Sequence, residues 1–249
     1  LTSKKICIFV DGESLRHSIG ELFPNFDRSD YLPETDWGEF FDWIAEQVAG
    51  PDSDRVRTYW YVVQDIDFTP FNINFARKDQ VLLEKILRRD PEYKKRIENA
   101  PVEKRPEIMA QMAEELQKIE QAMKKRFSGW TNIQDGIESR NKAIEFRRAG
   151  SIRYDLFSRG LGSEKAVDVK LATDLIELKD IYDIAVIVSG DQDYVPAVDA
   201  IKNSGKRTVN VAFLTEKEFL LPGGAKRLNQ ATDWSLKINY LDSKKYLGY

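Results

Sequence analysis

Five apolar residues in a row, Ile6-Cys7-Ile8-Phe9-Val10, stop abruptly at Asp11-Gly12. A strand with one face in water alternates apolar and polar residues. A run with no alternation is a strand buried on both faces, as in a parallel sheet covered by helices. A second such run, Ile184-Ala185-Val186-Ile187-Val188, stops at Ser189-Gly190-Asp191. Residues 55–63 and 207–213, rich in β-branched and aromatic side chains, read as further strands. Helical spacing fills the intervals. Trp37, Phe40, Phe41, Ile44 and Val48 mark a helix over 37–49 that ends at Gly50-Pro51. Leu171, Ala172, Leu175 and Leu178 mark one over 166–180. Val195, Val198 and Ile201 mark one over 192–203, with Pro196 delaying its regular part. Strands alternating with helices predict an α/β fold, a central parallel sheet flanked by helices. Ligands of such sheets bind beyond the carboxyl ends of the strands, where Asp11 and Asp191 sit.

Residues 79–148 break the pattern. Leu82, Leu83, Ile86 and Leu87 form one helical face, and Ile108, Met112, Leu116, Ile119 and Met123 another. Pro91, Pro101 and Pro106 mark helix starts or breaks. The stretch reads as a helical insertion, about 79–148, in a single domain spanning 1–249. It carries a net charge of +3, against −6 for the rest of the chain. Its basic runs, Arg88-Arg89, Lys94-Lys95-Arg96 and Lys124-Lys125-Arg126, are ordinarily solvated helix faces. Interleaved Tyr93, Phe127 and Trp130 leave two uses open: an RNA clamp, or a surface for a homo-oligomer or protein partner.

Composition removes several chemistries. A single cysteine, Cys7, excludes an internal disulfide framework and zinc sites needing two thiolates. A single histidine, His17, excludes His-pair zinc motifs and two-histidine acid–base catalysis. Cys7 lies inside a buried strand and reads as core; His17 reads as surface. No stretch of about 18 apolar residues predicts a membrane span. Lys4-Lys5 leading straight into a strand is not a secretory pattern, so a cytoplasmic protein is expected. Chemistry therefore falls to carboxylates, lysines and hydroxyls.

Three acidic clusters stand out. Asp11 follows the first strand, with Glu13 two residues on. Asp168 opens a helix within the stripe of Leu171, Ala172 and Leu175, the side that must face the sheet. Such an acid is costly unless it points into a cleft or onto a cation. Asp174, about 120° round the same helix, is a less certain member and could instead pair with Lys170. Asp191 is placed to cap its helix and Asp193 falls in the first turn. Acids gathered at short range repel unless a cation offsets them, and oxygen ligands suit Mg²⁺ or Mn²⁺. With no phosphate-cradling glycine loop, the pattern fits metal-assisted phosphodiester hydrolysis.

Phe9-Val10-Asp11-Gly12-Glu13-Ser14-Leu15, Val167-Asp168-Val169-Lys170-Leu171-Ala172-Thr173-Asp174 and Ser189-Gly190-Asp191-Gln192-Asp193-Tyr194 together resemble the NYN domain, LabA-like branch, of the PIN-like nuclease superfamily. Their order and strand–helix context match as well, over roughly residues 4–63 and 150–240. The resemblance implies a Rossmann-like PIN fold and a divalent-metal endoribonuclease that hydrolyses RNA by a metal-activated water. It implies Asp11, Asp168, Asp191 and Asp193 as catalytic and metal-site acids, with Asp174 as a further metal-site match. Ser14 stands where the family commonly has Asn, keeping a hydrogen-bonding group on a shorter arm. Ser14 and Ser189, with Arg16 and Lys170 for flanking phosphates, are the expected substrate contacts. Residues 222–233, from Pro222-Gly223-Gly224 to Asp233, resemble the family's closing segment, with Asp233 structural.

Two other classes compete. A non-catalytic RNA-binding or regulatory module can occupy the same fold. An aspartyl-nucleophile phosphatase would need Asp-x-Asp after the first strand, where this chain has Asp11-Gly12-Glu13.

Overall fold

The computed structural model describes residues 3–26, 31–70, 73–222 and 225–248; Gly223 and Gly224 of the expected closing segment lie outside the described residues. The chain runs β1 (Lys5–Asp11), α1 (Gly12–Leu22), α2 (Trp37–Ala49), β2 (Asp54–Thr69), α3 (Ile73–Ala76), α4 (Gln80–Leu87), α5 (Pro91–Glu98) and α6 (Arg105–Arg140). It continues through β3 (Ile144–Asp155), β4 (Gly160–Lys165), α7 (Val167–Glu177), β5 (Ile184–Val188), α8 (Val195–Asn203) and β6 (Arg207–Leu214). It closes with β7 (Leu220–Leu221), α9 (Lys226–Ala231), β8 (Trp234–Ile238) and α10 (Tyr240–Leu247). Two compact units emerge: residues 1–62, 131–149 and 166–249, and residues 63–130 with 150–165.

The first unit is a mostly parallel sheet flanked by helices, the α/β architecture expected. Its strands run in the order β3-β2-β1-β5-β6-β7, with β8 also beside β6. β1 pairs in parallel with β2 on one side and β5 on the other, Val10 lying opposite both Trp60 and Val188. All five residues of the first apolar run are fully buried, as are most of those in β5. The chain leaves β1 toward β2 and later returns to its other side as β5. The strand order therefore reverses between β1 and β5, the kind of switch point beyond whose carboxyl ends ligands of such sheets bind. On the other side of β1, Gly12 lets the start of α1 approach β2 closely: a Cβ there would lie 2.6 Å from the Tyr61 carbonyl oxygen.

One layer of core is aromatic. Trp60 packs edge-on against Trp37 at 4.8 Å between ring centroids and stacks on Phe146 at 5.0 Å. Each such buried ring contributes about 1.5–3 kcal/mol of transfer free energy. It ties α2, β2 and β3 together on one face of the sheet.

The second unit contains α3, α4 and α5, α6 up to Trp130, and the parts of β2 and β3 beyond residues 62 and 149. β4 pairs antiparallel with β3, Ile152 opposite Glu164. Met112, Ala113 and Leu116 of α6 are buried, with Leu87 and Ile97 of the shorter helices. Arg96 clamps Glu115 through two hydrogen bonds of 2.9 and 3.0 Å.

Some boundaries differ from those expected. β2 extends to Thr69 rather than 63, because Gln64-Asp65-Ile66-Asp67 is polar yet still paired. Residues 144–148 are strand rather than helix: Ile144 and Phe146 alternate inward, a period of two that the charges between them masked. Residues 192–194 form a 3₁₀ turn, so the regular helix begins at Val195 with Pro196 in its first turn. Among the described residues no helix is long and apolar enough to cross a membrane.

Candidate active site

Asp11 is the last residue of β1 and the N-cap of α1. Its Oδ1 accepts the Ser14 backbone N–H at 3.0 Å. Its Oδ2 accepts the Ser14 hydroxyl at 2.8 Å and the Ser189 hydroxyl at 2.7 Å. The strand–turn–helix passage fixes this geometry, because a cap three residues ahead of Ser14 must fold its carboxylate back over the first turn. Asp11 is only 5% exposed, and among the described residues no basic side chain pairs with it. Burial therefore pushes its carboxyl above the ordinary range, against the three hydrogen bonds that hold the charged form, and Asp168 pushes the same way.

Tyr194 links Asp11 to the second acid. It is fully buried in the 3₁₀ turn after β5. Its hydroxyl donates to Asp168 Oδ1 at 2.9 Å and lies 3.4 Å from Asp11 Oδ2. A phenol has one proton, and the nearer carboxylate receives it. Burial, then Asp11 and Asp168, drive the phenol pKa far above normal, so it stays a neutral donor. Asp168 itself stands in the first turn of α7, half-buried. The preceding residue but one, Ala166, has φ 69°, a left-handed conformation that costs a non-glycine residue about 1 kcal/mol. That strained turn aims the start of α7.

Asp191 enters through its neighbours. Its backbone N–H donates to the Ser189 hydroxyl at 3.0 Å. Its side chain caps the 3₁₀ turn by accepting the Asp193 N–H at 2.8 Å. Ser189 thus receives from Asp191 and donates to Asp11, and one hydrogen-bonded set runs Asp191–Ser189–Asp11, with Ser14 and Tyr194 attached and Asp168 beyond. Asp193 is exposed and its side chain joins no bond in that set.

The other expected site residues have partners of their own. Asp174 is almost fully buried, and its carboxylate takes Lys170 at 2.7 Å, Arg147 at 3.1 Å and the Tyr61 hydroxyl at 2.9 Å. It has the Lys170 pairing that its i,i+4 spacing allowed, plus a second cation. Lys170 is therefore held in an ion pair. Arg16 is held too, by two-point contact with Glu13 at 2.7 and 3.1 Å. Ser14 and Ser189 spend their protons on Asp11.

Three contributors have no assigned role in the sequence reading. Tyr194 closed a motif without a task. Asn210, fully buried in β6, donates to the Ser189 carbonyl at 3.1 Å and to Asn229 at 2.7 Å, fixing the end of β5 from the next strand. Its signal was an amide inside the apolar run Val209-Asn210-Val211. Arg147 had no sequence signal, since its partner Asp174 is 27 residues away.

The donors suit a hard divalent cation in kind: they are all oxygens, and Asp11 is buried without a counter-charge. In arrangement, no three His, Cys, Asp or Glu side chains among the described residues converge into a ligand group. Mg²⁺ does not require such a cage, because it commonly takes one or two carboxylates and completes its shell with water and substrate phosphate. Asp11 and Asp168, facing one phenol, meet that lower requirement.

The NYN domain family matches residues 97–233, just over half of the chain. The matched span includes Asp168, Asp191, Asp193 and Tyr194 and begins after β1. No curated protein matches. A crystal structure of a Vibrio parahaemolyticus protein of unknown function is similar at 17% identity, covering 95% of this chain and 94% of that one, with a TM-score of 0.47.

Proposed function

The chain belongs to the NYN domain family, a family of nuclease-like proteins, and from that premise we propose that it is a divalent-metal-dependent endoribonuclease. The observation that carries this reading is Asp11: a buried carboxylate that no basic side chain among the described residues pairs with, at the sheet's switch point, facing Asp168 across one hydroxyl. A charge kept in so costly a place calls for a positive partner. Asp11 and Asp168 are the proposed ligands of Mg²⁺ or Mn²⁺, and Asp191, whose carboxylate caps the Asp193 N–H, would join them only by turning from that cap. Asp193, exposed on the next turn, is the residue free to reach solvent or substrate. Asp174, already neutralised by two cations, is left out of the set. When bound, the cation would supply Lewis acidity to a phosphodiester and lower the pKa of water beside it.

The remaining work falls to protein groups. Ser14 and Ser189 hold the Asp11 carboxylate in one rotamer, and Tyr194 sets Asp168 against it. Because their hydroxyls already donate to carboxylates, Ser14 and Ser189 act on substrate through Asp11 rather than by direct contact. Lys170 and Arg16 would need to leave Asp174 and Glu13, or share them, to hold flanking phosphates.

The test is cleavage of labelled single-stranded and structured RNAs with Mn²⁺ or Mg²⁺, against EDTA, beside Asp11→Asn and Asp191→Asn. Metal-dependent cutting that both substitutions abolish supports the proposal. Cutting that both variants retain refutes it. A second reading, an RNA-binding module without turnover, draws on the pairing of both candidate phosphate cations and on the finding that no three carboxylates converge among the described residues. Tight RNA binding with no cutting by folded protein would favour it.

A further inference from the structure

We propose that the second unit carries a nucleotide-binding cleft of its own, built to stack a base and hold its phosphate. A cleft of about 910 Å³ is lined entirely by residues of that unit. That volume is in the range of small-molecule sites. Phe68, Leu82 and Ile86 give it an apolar lining, and Phe75 stands beside them with 66% of its surface exposed. Arg89 just after α4, Arg153 of β3 and Lys165 of β4 bring three cations to the same cleft from three chain segments.

Charge accounting separates the candidate ligands. The two acids in the lining are engaged: Asp67 accepts the Ser151 hydroxyl, and Glu120 pairs with Lys124. Lys124 in turn lies over the Phe68 ring at 5.4 Å. Among the described residues no hydrogen bond or ion pair engages the side chains of Arg89, Arg153 or Lys165. A surplus of positive charge thus borders an open aromatic face. An apolar ligand would leave the three cations without a partner. Inorganic phosphate would leave Phe75, Leu82 and Ile86 with no role. A nucleotide unit satisfies both, its base on the phenyl ring and its phosphate among the cations. None of Asp11, Asp168 or Asp191 lines the cleft, so nucleotide binding there does not depend on whether those acids cut RNA.

The experiment is fluorescence anisotropy of 5′-fluorescein pentauridylate with the full chain in EDTA, where no metal-dependent cleavage can intervene. Phe75→Ala is expected to weaken binding about tenfold, the loss of one stacked base. The triple variant Arg89→Glu, Arg153→Glu, Lys165→Glu is expected to abolish binding. The single Arg153→Glu should reduce the salt slope by about 0.7, one phosphate contact on a single strand. Lys104→Glu, an exposed cation of the same unit outside the cleft, should bind as the parent does. All these side chains are exposed, and circular dichroism verifies folding. Displacement of the probe by UMP identifies a free nucleotide as the ligand. Resistance to UMP identifies a strand segment. The proposal is overturned if neither pentauridylate nor UMP binds, or if binding survives both Phe75→Ala and the triple variant.

Discussion

Tyr194→Phe isolates the contact that joins the two halves of the carboxylate site. The phenol is fully buried, and its proton goes to Asp168 at 2.9 Å. A hydrogen bond to a charged acceptor contributes about 1.5–3 kcal/mol, and Phe fills the same volume, so no cavity term is added. Asp168 is only half-buried, so water replaces part of the lost bond and moves the expectation toward the lower end. The predicted loss is about 1.5 kcal/mol, read as a lower urea midpoint at unchanged slope in EDTA. Without its donor, Asp168 has no fixed direction relative to Asp11. The concentration of Mn²⁺ needed for half-maximal cleavage should then rise about tenfold, while the KM for RNA stays near the parent value.

A double-mutant cycle separates the hydrogen bond from general loosening. Tyr194→Phe and Asp168→Ala should be strongly non-additive in stability, with a coupling of about 1 kcal/mol, because each removes the same bond. Additive losses would mean that the phenol stabilises through packing alone. An unchanged urea midpoint together with an unchanged metal requirement would refute the bridging role outright.

Asp11→Asn should abolish cutting yet make the metal-free protein more stable near neutral pH. Burial raises the folded pKa of Asp11 above its ordinary 3.8, so the folded state keeps a proton that the unfolded chain has already lost. Stability of the parent therefore falls as pH rises through that interval, and the variant escapes the fall; urea midpoints in EDTA from about pH 4 to about pH 7 check it, and a constant gap between the two proteins would contradict it. Asp174→Asn should cost about 2 kcal/mol, since it takes the only ion pair of Lys170 among the described residues and leaves Arg147 with Glu145 alone; the value lies below the 3–5 of a fully buried pair because both cations reach solvent and Arg147 keeps one partner. Thermal unfolding with no shift in Tm would show those contacts to be idle. Gly12→Ala should cost about 2 kcal/mol, because its Cβ would press on the Tyr61 carbonyl and β1 is fixed between two strands; a parent-like urea midpoint would show that the turn has room.

The sheet of the first unit was legible because its signal is local. Residues 6–10 and 184–188 carry their burial in their own composition, and each ends on a polar turn that marks its carboxyl end. β4, with the sequence Gly-Leu-Gly-Ser-Glu-Lys, has no such signature. It is a strand because β3 offers it an antiparallel edge, a fact of tertiary pairing that no window of sequence contains. β7 and β8 are similar cases: each is defined by its register with β6. The helix expected through residue 148 failed for a related reason. Glu145, Arg147 and Arg148 suit a helix face equally well, and Ile144 and Phe146 decide for strand only because Trp60 is there to receive them.

The acids and the groups that direct them differ in the same way. Asp11, Asp168 and Asp191 could be picked out because an acid at a strand end or on a core-facing helix stripe is anomalous where it stands. Tyr194 and Asn210 are anomalous only in relation to Asp11, which lies about 180–200 residues earlier in the chain, and Ser189 stood out as an expected substrate contact rather than as a donor to Asp11; a hydroxyl after a strand or an amide inside one has many ordinary explanations. The buried charge was therefore visible before its hydrogen bonds were. Removing an acid asks only whether charge is needed. Removing the Ser189 hydroxyl leaves all the acids in place, takes one bond from Asp11 and a second from the Asp191 N–H, and so asks whether the two acids must be held by the same group. If Ser189→Ala lowers cleavage more than Ser14→Ala, which takes the Asp11 side-chain bond and the 3.3 Å contact between the two hydroxyls but leaves the Asp191 N–H its acceptor, the shared anchor between β1 and β5 is what organises the site; equal losses would reduce Ser189 to one donor among several.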